Sequence, residues 1–122
     1  MTNEEAIFEA IQKFQTAYNR AVNKKLRQIK TLREIGGKSV LIIKDVQTHF
    51  DETLLEIQKR HGTSIRHRVS LITDESIKKQ VRYKVNMCIR HPEKCDTFKS
   101  AKEFYQWCGV DNMLTDIVNN PP

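Results

Sequence analysis

The chain is poor in residues that break helices. Among 122 residues there are only four glycines and three prolines, two of which form the terminal Pro121-Pro122 pair. That scarcity excludes a turn-rich all-β fold and favours long helices. Aromatic residues make up 7%, and Tyr83 alone falls within the second basic stretch described below, so a stacking platform for single-stranded nucleic acid is poorly supported. No run of 18 apolar residues occurs, so no membrane span is expected. The opening Met1-Thr2-Asn3-Glu4-Glu5 is acidic and lacks the basic-then-apolar order of a secretory signal. Cysteine is scarce and odd in number: Cys88, Cys95 and Cys108. With no Asn-x-Ser/Thr sequon either, reduced thiols are expected rather than a disulfide framework. These absences point to an intracellular protein, cytoplasmic or nuclear.

What is present is helical periodicity. Ile7, Ile11, Phe14, Tyr18, Ala21, Val22, Ile29 and Leu32 recur at three- and four-residue steps from Asn3 to Ile35, which predicts one amphipathic helix. Glu4 and Glu5 open it and Gly36-Gly37 stops it. At 1.5 Å per residue it would be about 50 Å long, more than a domain of this size is wide. It must therefore break, or overhang and pair with a second subunit. Lys25 interrupts its apolar arc. A second helix is expected over 40–60, capped by Ser39 and ended by Gly62, with Ile43, Val46, Phe50, Leu54 and Ile57 on its core face. Residues 63–73 fit either an alternating strand (Ile65, His67, Val69, Leu71) or a short helix (Ile65, Val69, Ile72). A third helix follows Thr73 as cap and runs over 74–90, with Ile77, Val81, Val85 and Cys88 inward. A fourth spans 97–108, and Asp111 opens a last turn carrying Met113, Leu114, Ile117 and Val118. The expected fold is all-α: a long antiparallel helical hairpin (1–62) with two or three shorter helices (63–118) packed on it. It forms a single domain over 1–120, followed by a tail, 119–122.

Charge is segregated along this order. Residues 13–44 hold nine basic and one acidic residue, net +8, and 45–58 hold four acids and no base. Residues 59–102 return to twelve basic against four acidic residues, again net +8, within a chain of net charge +6. Two such blocks suggest a surface for an anionic partner. On the first helix Lys13, Arg20, Lys24 and Arg27 fall within about 60° of one another along about 21 Å. They lie opposite the Ile11/Phe14/Tyr18/Val22 face. Lys30 adds to this block, and Arg60, Arg66, Arg68, Lys79 and Arg82 supply a second phosphate-contacting edge. Such rows suit a duplex backbone, where counterion release supplies affinity and base identity is not read. RNA can be preferred through its 2′-hydroxyls.

Other constellations are weaker. Cys88, His91, Cys95 and Cys108 could ligate zinc, but their spacing matches no paired Cys-x2-Cys knuckle, and Cys88 and Cys108 fall on apolar faces. Ile35-Gly36-Gly37-Lys38-Ser39 imitates the end of a phosphate-binding loop but lacks the preceding strand and first glycine. His49, His61, His67 and His91 have no nucleophile motif beside them, although a dyad with Cys108 is assembled in space rather than in sequence. Trp107, Phe104 and Tyr105 read as core. No catalytic residues, cofactor or metal are expected. The resulting expectation is a non-enzymatic nucleic-acid-binding protein that grips a duplex with little sequence preference, homodimeric through its long helix. The alternative is a helical interaction module whose amphipathic helix, through Phe14 and Tyr18, and basic surface dock an acidic protein partner.

Overall fold

The computed structural model describes residues 2–36, 39–95 and 97–110, and among these it contains four α-helices and no strand. Helix α1 runs Asn3–Ile35 without a break. The Thr2 hydroxyl accepts the Glu5 amide at 3.2 Å and so caps its start. Gly36 ends it at φ 74°, donating its N–H to the Leu32 carbonyl at 3.1 Å. That left-handed φ is one a side-chain-bearing residue resists, which is why the helix stops there.

Helix α2 spans Ser39–Ser70, ten residues beyond the expected end at Arg60. Gly62 is therefore no stop signal. It is buried within the helix, where a Cβ would meet the Arg66 guanidinium at 3.2 Å and Ile89 Cγ2 at 3.4 Å. The glycine lets two helices approach, at a cost of about 1 kcal/mol in helix propensity. Past it the helical alternative for 63–73 holds: Ile65, Val69 and Ile72 are buried while Leu71 is 56% exposed. A strand would have put Leu71 on the same side as Ile65 and Val69.

Helix α3 covers Glu75–Arg90. Its cap is Asp74 rather than Thr73, with the carboxylate accepting the Ser76 and Ile77 amides at 2.9 and 3.1 Å. A charged acceptor at a helix start also meets the positive end of the dipole. A single 3-10 turn, Pro92–Lys94, leads to helix α4, Ala101–Cys108. The α4 start lies four residues later than expected because Ser100 takes the cap, accepting Glu103 N–H at 3.2 Å, while Glu103 accepts the Lys99 amide at 2.9 Å. Gly109 closes it at φ 81°. The expected last turn at Asp111 with Met113, Leu114, Ile117 and Val118 lies outside the described residues.

The cysteines depart from expectation. Cys88 and Cys95 form a disulfide, their Cα atoms 5.3 Å apart, within the usual range. An odd count and an acidic opening speak only to compartment. They do not register that the turn at Pro92 folds the chain back on the end of α3, bringing together two thiols seven residues apart. Cys108 is free and buried.

The hairpin and the small helices make two unlike regions. In the base, Ile7, Ile11 and Phe14 of α1, Ile65 and Val69 of α2, and Ile77, Val81, Val85 and Ile89 of α3 enclose one core with Phe98, Phe104 and Tyr105. Tyr105 donates its hydroxyl proton to the Glu4 carbonyl at 2.6 Å, tying α4 to the start of α1. Phe98 and Phe104 meet edge to face at 5.4 Å, and Trp107 lies against Phe98 at 5.3 Å. Beyond Gln15 on α1 and before Gly62 on α2, Phe50 alone of the described side chains is buried. This second region is a two-helix arm. Its partners run antiparallel, as Asn3 reaching the Arg68 carbonyl at one end and Lys25 reaching Phe50 further along both require. The 50 Å helix thus does not break; α2 accompanies it. Lys25, which interrupts the apolar arc, places its ammonium 4.0 Å from the Phe50 ring centroid, a cation–π contact that makes the interruption compatible with the seam.

Candidate functional site

With α2 on one side of α1 and α3 and α4 in front, the rear of the hairpin is left open. Lys13, Arg20, Lys24 and Arg27 are all exposed along it, as expected for positions on one helix face. A furrow runs between α1 and α2 at this rear side, with the small side chains of Ala6, Ala10, Ala17 and Ser64 among those that line it. Its lower part, about 230 Å³, is bounded by Ala6, Ala10, Lys13, His61, Ser64 and Arg68. The adjoining part, about 690 Å³ and open to solvent, is bounded by Gln12, Lys13, Thr16, Ala17, Arg20 and His61, with Glu9 shared by both. Lys24 and Arg27 edge two further depressions toward the arm tip.

The structure therefore brings Lys13 and Arg20 of the first basic block together with Arg68 of the second, across the two helices. Arg60 joins them electrostatically. His61 is half-buried against Phe14, ring centroids 6.1 Å apart, and its pKa is lowered by that burial and by the charges of Arg60 and Lys13. Burial disfavours the charged imidazole first, and the two cations add to that effect. Glu9 offsets part of their charge through an ion pair with Lys13 at 3.2 Å. Among the described residues the other ion pairs are Lys78 with Glu75 and His91 with Glu93. Arg20, Lys24, Arg27, Arg60 and Arg68 are exposed and have no carboxylate partner among the described residues.

The remaining candidates lie elsewhere. Arg66 turns toward α3, where its Nε donates to Asn86 Oδ1 at 3.1 Å. Arg82 and Lys79 stand one and two turns before Asn86 on the same face of α3, so these three cations form a separate patch. Lys30 is exposed but lies about 90° round α1 from the centre of the stripe. Glu56 shares the face of Arg60 one turn toward the arm tip, so the rear of α2 turns acidic where α1 remains basic. His61 is the member of the furrow that the sequence did not single out for this site. A histidine at the apolar spacing of α2, following Phe50, Leu54 and Ile57, was the available signal.

The other constellations come apart. Two of the four possible zinc ligands, Cys88 and Cys95, are bonded to each other, and among the described residues no three His, Cys, Asp or Glu side chains gather in a group that could hold a metal. Gln15 donates to Cys95 Sγ at 3.4 Å, fixing this corner to α1. Burial pushes the Cys108 thiol up to about 12, the reverse of the activation a nucleophile needs. Gly36 serves as the α1 cap, and Gly37 and Lys38 lie outside the described residues. Phe14, offered as part of a docking face, is completely buried in the base. It therefore cannot meet a partner without unfolding.

No described helix is long and apolar enough to cross a membrane. Compared with protein-family models, with curated proteins and with solved structures, the chain matches none.

Proposed function

We propose that this protein binds nucleic acid without catalysing a reaction, holding the phosphate backbone of a duplex against the rear furrow of its helical hairpin. The observation that carries this reading is the row Arg68, Lys13, Arg20, Lys24 and Arg27, with Arg60 beside it, opposed within the furrow by Glu9 alone. From Lys13 to Arg27 the row is about 21 Å long, the length of about six phosphates of one strand. Gln12 and Thr16 in the furrow can donate hydrogen bonds to phosphate or to a ribose 2′-hydroxyl. Among the described residues no Phe, Tyr or Trp borders these two parts of the furrow, and Tyr83 stands exposed on α3. Backbone contact with a duplex therefore fits better than base stacking on a single strand. Such a protein would work inside the cell, in the cytoplasm or nucleus.

Titration against labelled double-stranded RNA, double-stranded DNA and single strands of equal length tests this. Four or five neutralised phosphates predict that duplex affinity falls about 10²–10³-fold between 50 and 200 mM salt. Arg20→Glu with Arg27→Glu should abolish duplex binding while leaving helicity intact. Weak binding to all four ligands, insensitive to those two substitutions, would reduce the row to a solvated face.

A further inference from the structure

The front of the arm carries apolar surface that nothing among the described residues covers. In the base, Ile7, Ile11 and Phe14 of α1 face the small helices and are fully buried. The same stripe continues at helical spacing through Tyr18, Val22 and Ile29, which are only half-buried, with Leu26 at its edge 55% exposed. On α2 the face formed by Ile65 and Val69 continues past Gln58, which donates to the Ile89 carbonyl at 2.8 Å at the end of α3. Beyond that point it presents Leu54, half-buried, and Leu55, 59% exposed. Val22, Leu26, Ile29, Leu54 and Leu55 thus form one strip along the arm, on the side where α3 would lie if it were longer.

We propose that this strip is the interface with a second copy of the chain, two arms packing front to front and antiparallel so that each fills the space beyond the end of the other's α3. Length is the first argument. Helix α3, with 16 residues, covers about 24 Å of a hairpin about 50 Å long. The uncovered remainder, about 26 Å, leaves room beyond the end of α3 for a second arm to lie, as an isologous pair requires. A base step borders the vacant half, formed by the turn Pro92–Lys94 standing over Gln15 and Tyr18. The Gln15–Cys95 hydrogen bond locates it there, and the Tyr18 pKa, raised by burial and then by the charge of Glu93, accords with it. An antiparallel arrangement brings the arm tip, with Arg33, up to the partner's step, with Glu93. A parallel one would drive the two bases into each other.

Area is the second argument. Two helices side by side and about 25 Å long, stacked on a like pair, bury on the order of 1,000 Å² in total, the lower end of specific association. A dimer held by an interface of that size is concentration-dependent. Arg20 and Lys24 lie on the opposite side of α1 from Val22 and Ile29, so pairing leaves the rear furrow open. The dimer does not depend on the nucleic-acid reading.

Sedimentation equilibrium on the intact chain from about 1 to 200 µM tests the proposal. The wild type should pass from monomer to dimer across that range. Leu26→Glu combined with Leu55→Glu should weaken pairing at least tenfold with unchanged circular dichroism, because both side chains are already solvent-exposed in the monomer. Arg20→Glu should leave pairing unaltered. Arg33→Glu should weaken it and Glu93→Arg, added to it, should restore it. A chain that stays monomeric at about 200 µM, or a dimer indifferent to the leucine changes, overturns the interface. A dimer sensitive to the leucines but indifferent to Arg33→Glu overturns the antiparallel register.

Discussion

The base and the arm are built from the same two helices and the same apolar stripe, yet they differ in nearly everything that gives a fold its stability. Below Gln15 and beyond Gly62 the hairpin is roofed by α3, the Pro92 turn and α4, and its stripe is sealed. Above them it is a bare pair, with Phe50 as its one buried side chain among the described residues and Leu26, Ile35, Ile42 and Leu55 well exposed. A helix can bury about a third of its circumference against one neighbour. The rest needs a second layer. An amphipathic pattern therefore reports that a face wants cover, and the presence of a third helix decides whether it gets it. The arm should be the part that opens first, with backbone amides that exchange ahead of those in the base.

Substitution series sharpen that contrast. Phe14→Ala in the base should cost about 3–5 kcal/mol in urea unfolding. Leu26→Ala in the arm of a dilute, monomeric sample should cost about 0.5 kcal/mol or less. Equal losses would mean that the arm is sealed in the monomer and that the two regions melt as one. The Cys88–Cys95 bond closes a short loop at the corner where the base ends. Cys88→Ser should lower stability by about 2 kcal/mol under oxidising conditions, read as a drop in Tm that vanishes when both proteins are melted in excess reductant. A drop that persists in reductant would assign the loss to Cys88 packing rather than to the bond.

The smallest effect lies at His61, which faces Glu9, Lys13, Arg60 and Arg68 in the rear furrow. Its folded-state pKa is depressed by burial and by Arg60 and Lys13, so the unfolded chain binds the proton more readily. Its contribution is consequently intact above the unfolded value near 6.5 and is lost as pH falls through that value toward the lower folded one. Nucleic-acid affinity should move the other way, rising in the same window as the imidazole adds a charge to the furrow. A His61→Gln variant whose affinity keeps the full wild-type pH dependence would remove His61 from the site.

Several features were legible from the residues one at a time. The first helix runs over the stretch that its periodicity marks, and Gly36 ends it, because spacing and a left-handed cap are local properties. The stripe Lys13/Arg20/Lys24/Arg27 follows from 100° per residue in the same way. Gly62 misled because glycine marks helix ends and close helix approaches alike, and the second requires knowing that Ile89 arrives from α3. The Ser100 and Asp74 caps displaced neighbouring polar residues that were equally good candidates by composition. Disulfide pairing escaped compositional reasoning because a cysteine count says nothing of the turn between Cys88 and Cys95.

The sequence by itself determined the all-α class, the long antiparallel hairpin and the segregation of positive charge, since each depends on neighbours within a turn or two. Only the tertiary structure decided which cations share a furrow and which apolar residues stay in water. Arg68 joins Lys13 while Arg66, two residues earlier, faces α3, because α2 presents different sides to two partners. Phe14 is sealed and Leu26 is not because α3 and α4 end between them, and where one helix stops over another is set by packing across the chain rather than by the pattern of either.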